Sequence, residues 1–332
     1  MYEEHLFAQY IRILGKGKRG SRGLTQQEAY DSMTMVLEGK VEECQLGAYL
    51  MLLRVKEETP EEIAGFVQAI KATFTLPANA PSVSLDWSSY AGKRRQLPWF
   101  LLSALMLADN KISVFMHGAE GHTAGRIYTR DILKELGLPV TKSMEQAGEE
   151  IIKNSFAYLP LEFMSPIMHR IIQMRPLLGL RSPVHTIARM LNPFNASHEI
   201  QGIFHPTYRE THQEAAQLIN QPHLAVFKGE GGEIERNPDQ KVVVKSVHNN
   251  VLSEEEWPAM FDGPRHLKDE EMNFKRLINV WNGSDDDEYA IASITGTAAI
   301  ALKLLGAAES KKDAQALAEQ FWQNRNKQKF TS

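Results

Sequence analysis

The chain has 332 residues, of which 43% are hydrophobic and 23% are charged, and its formal net charge is −4. This length supports a sizeable core in one or two domains. The single cysteine, Cys44, excludes a disulfide framework and a cysteine-based zinc site within one chain. So few cysteines are typical of proteins in a reducing cytoplasm, where we expect this protein. Residues 1–9 lack the apolar run of a signal peptide, and the longest largely apolar stretch, 99–108, is too short to span a bilayer. We therefore expect no membrane partner.

The first 76 residues predict a small all-helical unit. Thr25 followed by Glu28 forms a capping box, and residues 59–62 combine a cap, a proline and two acids at a helix start. No strand pattern interrupts this region, and residues 77–81 form a linker that begins and ends with proline. The predicted helices cover residues 3–14, 25–37, 43–55 and 59–74.

From residue 83 the pattern changes to strands that alternate with helices, as in βαβ units. The predicted strands cover residues 83–85, 112–116, 157–159, 225–228 and 242–244. The predicted helices cover residues 97–107, 127–136, 147–154, 166–174, 182–190, 273–281, 290–304 and 311–324. Residues 253–271 are predicted to be polar and irregular. This order indicates an α/β domain.

Three segments contain basic residues and no acid: 5–27, 87–108 and 163–198. If the three segments converge, the electrostatic field there is positive although the whole chain is acidic. The alternative is that they form three separate solvated faces. The third segment contains four arginines, the residue type that binds phosphate bidentately.

Residues 83–95 predict a strand, a turn of small residues and then a helix, the layout in which backbone amides bind phosphate at a helix N-terminus. The turn contains one glycine, Gly92, where a phosphate loop needs several. Lys93, Arg94 and Arg95 follow it. The stretch is interpreted either as a site for a small phosphorylated substrate or as a cationic surface.

Two other features could bind ligands. The loop 229–235 follows a predicted strand and contains three glutamates, which could hold Mg²⁺, although a solvated turn is the alternative. His117 ends a predicted strand, where open α/β sheets place ligands, although a packed or capping histidine is an equally good reading. The sequence contains no Walker loop and no His-Glu-x-x-His spacing.

Together, several motifs resemble the anthranilate phosphoribosyltransferase family over nearly the whole length. The most specific is the stretch 45–65, which resembles the helical domain of that family. The other matching motifs are 24–29, His117-Gly118, 131–137, Arg181-Ser182-Pro183 and Leu191-Asn192-Pro193. The resemblance implies a nucleoside phosphorylase/phosphoribosyltransferase-type fold, a homodimer formed through the small domain, and packing of residues 166–190 on the N-terminal helices.

The departures from the family pattern decide the predicted function. The family's Gly-Thr-Gly-Gly-Asp loop, which holds the pyrophosphate of phosphoribosyl pyrophosphate, aligns with residues 90–94, where only Gly92 is retained. Ala119 replaces the family's Asn, and Ile234-Glu235 stand where the family has an Asp-Glu pair for Mg²⁺. The sequence Gly-Lys-Arg-Arg-Gln at 92–96 resembles the family's non-biosynthetic branch, typified by YbiB, which is associated with nucleic-acid binding by a homodimer.

We therefore predict an α/β protein in which a small helical dimerisation domain (1–76 with 166–190) joins a larger α/β domain (77–165 with 191–332) built on a central, mostly parallel sheet. The predicted function is sequence-independent binding of DNA or RNA along a basic groove between the domains of a homodimer. The alternative is a glycosyltransferase or phosphoribosyltransferase that acts on a phosphorylated ribose substrate with Mg²⁺. An assembly or regulatory partner without a ligand is a third hypothesis. Whether the chain is an enzyme stays open, but the departures predict that it is not an active anthranilate phosphoribosyltransferase.

Two sets of residues follow from this prediction, and neither contains a catalytic residue or a metal ligand. The expected nucleic-acid contacts are Lys16, Lys18, Arg19, Arg22, Lys93, Arg94, Arg95, Arg170, Arg175 and Arg181. The expected vestigial substrate pocket consists of Tyr90, Gly92, His117, Gly118 and Arg181. We expect no cofactor, and Mg²⁺ only under the alternative.

Overall fold

A computed structural model describes residues 3–265, 269 and 272–330. Its N-terminal part is helical, as predicted. The capping boxes at Thr25 and at Thr59 are both present, so the two helices that follow them begin where the sequence places them. The four helices are α1 (Ala8–Gly15), α2 (Gln26–Leu37), α3 (Glu43–Lys56) and α4 (Pro60–Lys71).

The described strands form one seven-stranded sheet. They are β1 (Leu85–Ser89), β2 (Val114–Gly118), β3 (Phe156–Pro160), β4 (His198–Ile203), β5 (His223–Lys228), β6 (Val242–His248) and β7 (Val251–Trp257). Their order is β3–β2–β1–β4–β5–β6–β7, with parallel pairing from β3 to β5 and antiparallel pairing of β6 and β7. This confirms the predicted mostly parallel sheet. The strand order reverses between β1 and β4, so their carboxyl ends border a crevice of the kind in which open sheets bind ligands.

Helices cover both faces of the sheet. They are α5 (Trp99–Asp109), α6 (Thr129–Glu135), α7 (Met144–Asn154), α8 (Leu161–Met164), α9 (Pro166–Gln173), α10 (Arg175–Leu178), α11 (Val184–Ile187), α12 (Tyr208–Leu218), α13 (Lys275–Asn282), α14 (Glu288–Leu304) and α15 (Lys311–Gln323). Every residue of α5 from Trp99 to Ala108 is buried, which identifies the long apolar run as a core helix. Among the described residues, no helix is both long enough and apolar enough to cross a bilayer.

Several elements differ from the sequence prediction. β1 begins at Leu85 and extends to Ser89, so the turn predicted from residue 88 begins later. β7 begins at Val251 and extends into the stretch 253–271 that was predicted to be irregular, and that part of the prediction is wrong. β4 and α12 lie in a region for which no element was predicted.

The two faces of the sheet are buried in two different apolar clusters, as expected for parallel strands. One cluster joins the N-terminal helices to a sheet face that includes Phe115 and Val226. The other joins the opposite face, with Trp87, to α5 and α14. Residues 166–190 contact the N-terminal helices, since Arg170 of α9 pairs with Glu43 of α3. The crevice at the switch between β1 and β4 is thus bordered by helical segments from both halves of the molecule.

Candidate anion-binding cleft

The loop after β1 holds an anion that belongs to the chain itself. The backbone amides of Ala91 and Gly92 both donate to Glu233 Oε1, at 2.7 and 2.6 Å. Gly92 has φ +67°, and a Cβ added there would lie 2.9 Å from the Tyr128 ring, so this turn requires glycine. Glu233 is fully buried. Its carboxylate therefore fills the position that a phosphate would take on these two amides (hereafter the 91–92 amides).

A second glutamate binds at the N-terminus of α5. Glu235 Oε2 accepts a hydrogen bond from the Phe100 amide at 2.9 Å, and Glu235 Oε1 lies 2.6 Å from Lys93 Nζ. Lys93 is only 2% exposed and Glu235 is fully buried. Burial raises the pKa of Glu235 to about 7, although Lys93 opposes the shift. The prediction that Lys93 contacts nucleic acid is wrong, because its ammonium lies in a buried ion pair.

These contacts decide whether the loop 229–235 fits Mg²⁺. Glu233 Oε1 already accepts from the 91–92 amides, and both oxygens of Glu235 accept from Lys93 or from the Phe100 amide. Glu230 accepts instead from the Asn237 side chain at 3.0 Å. No group of three or more metal-ligating side chains converges in the described part of the chain. The donor set does not fit a magnesium ion in this arrangement.

Four arginines meet beside this loop, at the crevice; we call Arg126, Arg175, Arg181 and Arg189 the arginine cluster. Arg126 donates to the carbonyls of Ala91, Gly92 and Gly231, while Arg189 donates to those of Gly202 and Gly232.

Arg175 and Arg181 of the cluster both donate to Thr123 Oγ1. Burial and the charges of Arg126, Arg175 and Arg189 lower the pKa of Arg181 to about 10. Among the described residues, none of the four arginines has an acidic partner within ion-pair distance. Burial lowers the pKa of Arg189 more strongly than the charge of Glu233 raises it. The cluster is thus cationic and largely uncompensated.

A cavity of about 110 Å³ opens next to the cluster, between α3, α11 and the loop after β4. Arg181 and Arg189 form one side, and Arg54 of α3 and Glu58 of the loop between α3 and α4 form another. Burial raises the pKa of Glu58 to about 6, although Arg54 opposes the shift. Ser182, His185, Thr186, Ile203, Phe204, His205, Tyr208 and His212 complete the lining. We call this cavity, together with the arginine cluster, the interdomain cleft.

The predicted substrate pocket is only partly in this cleft. Arg181 lines the cleft. Tyr90, His117 and Asp86 instead form a buried hydrogen-bond network, in which Tyr90 Oη lies 2.8 Å from His117 Nδ1 and His117 Nε2 lies 3.1 Å from Asp86 Oδ2. Asp86 of β1 lies directly opposite Glu199 of β4 in the sheet. Burial of Glu199, together with the nearby charge of Asp86, raises the pKa of Glu199 to about 8. Tyr90 and His117 of the predicted vestigial pocket both lie in the interior, which agrees with the alternative that His117 is a packed histidine.

The glycine next to His117 has a packing role. A Cβ at Gly118 would lie 2.0 Å from the Ser89 carbonyl oxygen on the neighbouring strand, so no side chain fits there. Its place in the motif is explained by strand packing rather than by a ligand.

The other predicted cations lie on the surface. Arg94 and Arg95 are exposed, directly after the loop to which Arg126 donates. Arg22 pairs with Glu28 at 2.6 Å, and Arg170 pairs with Glu43. Lys16, Lys18 and Arg19 are exposed in the loop after α1.

The convergence of the basic segments is therefore partial. Arg126 connects the second segment to the third, since it donates to Ala91 and Gly92 and acts electrostatically on Arg181 and Arg189. No hydrogen bond or ion pair within the described residues joins Lys16, Lys18 or Arg19 to either of those segments. Arg126 was missed by the sequence analysis, because it stands alone among neutral residues; its position in the loop after a parallel strand was the available signal.

Comparisons with known proteins agree with this architecture. The model of the glycosyl transferase family, helical bundle domain, matches residues 8–73, and that of the glycosyl transferase family, a/b domain, matches residues 100–325. An uncharacterized protein of Aquifex aeolicus is 28% identical over 269 residues, which cover 80% of this chain and 81% of that protein. Anthranilate phosphoribosyltransferase of Dictyoglomus thermophilum is 24% identical over 316 residues, which cover 92% and 91%. Escherichia coli YbiB, an uncharacterized protein, is 28% identical over 207 residues, which cover 61% and 64%.

Two solved structures show the same fold. Anthranilate phosphoribosyltransferase from Thermus thermophilus superimposes with a TM-score of 0.76 at 21% identity, covering 96% of this chain and 94% of that one. The Saccharomyces cerevisiae enzyme in complex with PRPP and Mg gives a TM-score of 0.77 at 17% identity, covering 97% and 94%. At these identities the likeness establishes the architecture alone.

Proposed function

The chain belongs to the glycosyl transferase family, and from that premise we propose that it binds the phosphate backbone of DNA or RNA in the interdomain cleft, without sequence preference, and does not transfer phosphoribosyl groups. The proposal has two parts. The first concerns what the cleft attracts, and the second concerns why the phosphate loop of this chain does not bind a pyrophosphate.

The arginine cluster is the observation that supports the first part best. Like charges at close range repel, and the burial of Arg189 and partial burial of Arg175 and Arg181 remove the water that would screen them. An anion in the cleft relieves this repulsion, and guanidinium groups bind phosphate oxygens with paired hydrogen bonds. The cluster is therefore suited to a polyanion.

A polymer fits the distribution of charge better than a single phosphate does. Arg94 and Arg95 extend the cluster outward along the loop after β1, and both are exposed without an ion pair among the described residues. Lys16, Lys18 and Arg19 add a further exposed basic loop on the helical side. A chain of phosphates can contact several such groups at once, and each contact releases counterions. No set of side chains that would read base edges is apparent, so we propose little sequence preference.

The 91–92 amides support the second part. A pyrophosphate would have to displace Glu233, which is bound there by two short hydrogen bonds and attracted by Arg189. It would also have to approach the Lys93–Glu235 pair. Phosphoribosyl transfer depends on positioning and on charge stabilisation of the pyrophosphate, and these carboxylates oppose both. We further propose the homodimer that the family resemblance implies.

Phosphoribosyl transfer stays the second candidate, because the Saccharomyces cerevisiae enzyme with the same fold is described in complex with PRPP and Mg. It requires Glu233 and Glu235 to leave their present partners. Turnover with anthranilate, phosphoribosyl pyrophosphate and Mg²⁺ at an ordinary enzymatic rate would reverse the ranking of the two candidates.

Fluorescence anisotropy with a labelled oligonucleotide of mixed sequence tests the proposal. The double variant Arg175→Ala with Arg181→Ala should weaken binding by about a hundredfold at low salt, because each charge-assisted contact contributes ~1.5 kcal/mol or more. Lys241→Ala removes an exposed cation that pairs with Glu256 on the strand β7, and it should leave the affinity nearly unchanged. Equal losses in both variants, or no binding by the wild type, would contradict a specific role of the cleft.

A further inference from the structure

A second, larger groove of about 680 Å³ lies away from the interdomain cleft and shares no lining residue with it. It is formed by the end of β7, by the segment 258–260 and by the first turns of α15. One wall is apolar and includes Trp257, Pro258 and Met260. Arg236, Lys311 and Lys312 supply three cations, and Glu319 is the acid on the rim. The groove thus combines an apolar wall with an excess of positive charge.

Arg236 is the unusual residue of this groove. It is only 2% exposed, and its backbone is fixed to α14, since its amide donates to Thr297 Oγ1 at 2.9 Å and its carbonyl accepts from Ser293 Oγ at 3.1 Å. Gly296 gives its side chain room, because a Cβ there would lie 3.0 Å from Arg236 Cδ. The arginine is therefore held rigidly against α14.

The guanidinium group of Arg236 lacks a counter-ion. Nη2 donates to the Pro258 carbonyl, and the group lies 5.4 Å from the centre of the Trp257 ring. Nε has no acceptor, and no acidic side chain among the described residues lies within ion-pair distance. Burial lowers the pKa of Arg236 to about 10, with no acid to oppose the shift. A buried cation without a partner is costly, so its position calls for a compensating anion.

The surroundings favour an anion rather than a cation. Lys312 is exposed at the rim, and Lys311 donates to the Glu256 carbonyl while it also lies 3.7 Å from Glu255. The Gln315 side chain also lines the groove, and its Nε2 donates to Glu319 Oε1 at 2.9 Å and to Thr295 Oγ1 at 3.2 Å. The acid on the rim therefore already accepts a hydrogen bond from the groove lining.

We infer that this groove binds a small organic anion, a carboxylate or phosphate that pairs with Arg236 and is joined to an apolar body that packs on Pro258 and Met260, above the buried Trp257 ring. The charged end meets Arg236 and Lys312, and the apolar body covers Pro258 and Met260. Burial of apolar area supplies affinity, and the guanidinium supplies selection for negative charge. The site is independent of nucleic-acid binding in the cleft.

Titration calorimetry with 1-naphthoate and with its neutral analogue 1-naphthalenemethanol tests this inference on the full chain. Wild type should prefer the anion by about tenfold or more. Arg236→Met should abolish that preference while it retains binding of the neutral compound. Met260→Ser, on the apolar wall, should weaken both compounds together.

Three controls separate ligand binding from folding. Arg236→Met should unfold no more readily than wild type, because it replaces an unpaired buried cation with an apolar side chain. It should also bind the labelled oligonucleotide with unchanged affinity. Lys303→Ala, a change of charge on α14 outside the groove lining, should keep the preference for naphthoate. Equal affinity of wild type for the two compounds, or a preference that survives Arg236→Met, would overturn the inference.

Discussion

Replacing Glu233 with alanine removes the acceptor that the 91–92 amides share. The two hydrogen bonds, at 2.7 and 2.6 Å, join neutral amides to a buried carboxylate, and such bonds contribute about 1.5–3 kcal/mol each. The variant should therefore lose about 3–6 kcal/mol of unfolding free energy. The variant also removes the carboxylate whose charge stabilises the buried Arg189, so we expect a loss of unfolding free energy near the upper end of that range.

The same variant should gain an anion site. In Glu233→Ala the 91–92 amides are free to bind phosphate and the charge of Arg189 favours an anion there, so added pyrophosphate should stabilise the variant by about 2.7 kcal/mol when its concentration is a hundredfold above Kd. Urea unfolding followed by tryptophan fluorescence, with and without pyrophosphate, measures both effects. Wild type should respond much less, since Glu233 competes for the same amides.

Glu230→Ala is the matched control for this experiment. It removes a carboxylate from the same loop, but that carboxylate accepts from Asn237 and does not contact the 91–92 amides. It should change stability little and should not respond to pyrophosphate more than wild type does. The reasoning is refuted if Glu233→Ala is as stable as wild type, or if pyrophosphate stabilises wild type and variant equally.

Three further predictions concern the core, the pH dependence and the assembly. Lys93→Met should cost about 3–5 kcal/mol in urea unfolding because it leaves Glu235 buried and unpaired, whereas adding Glu235→Leu should restore most of the loss; a double variant no better than the single one would contradict the pairing. Burial lowers the pKa of His122 to about 4 and that of His212 to about 3, so the unfolded chain binds these protons first and stability should fall as pH drops from about 7 to 4; His212→Asn should flatten this slope, and an unchanged slope would argue against it. Leu177 is 82% exposed beside the N-terminal helices, so Leu177→Glu should lower the mass found by light scattering from dimer to monomer, and a wild-type monomer would contradict the homodimer.

The sequence predicted the helical half well because its signals are local. A capping box involves residues three apart, so Thr25 with Glu28 is visible before any tertiary structure is known. The apolar run of α5 was equally local. The general α/β order followed from alternating patterns, and the structure confirms it.

The central strand β4 was missed because one of its two buried faces is polar. Glu199 and Gln201 are fully buried there, and Glu199 lies opposite Asp86 on the neighbouring strand. A pattern analysis reads such residues as solvent-facing. Burial that depends on a partner strand more than a hundred residues away has no local signature.

The candidate site was likewise predicted only in part, because its decisive contacts join residues that are far apart in the chain. The unusual turn at Gly92 and the arginines of the third basic segment were visible in the sequence. The occupant of that turn was not, because Glu233 reaches the 91–92 amides across 141 residues of chain. Lys93 was misjudged because a lysine next to Arg94 and Arg95 gives no sign that its partner, Glu235, is buried in the interior.

The salt dependence of oligonucleotide binding tests the central proposal most directly. Apart from Arg54, whose charge acts on Glu58, the exposed or half-buried arginines at the cleft and its outer loop are Arg94, Arg95, Arg126, Arg175 and Arg181. If each neutralises one phosphate, the logarithm of the association constant should fall with the logarithm of salt concentration with a slope of about −4.5 for duplex and about −3.5 for single strands. Arg181→Ala should reduce the magnitude of that slope by about one. A slope near zero, or one that Arg181→Ala leaves unchanged, would contradict phosphate binding in the cleft.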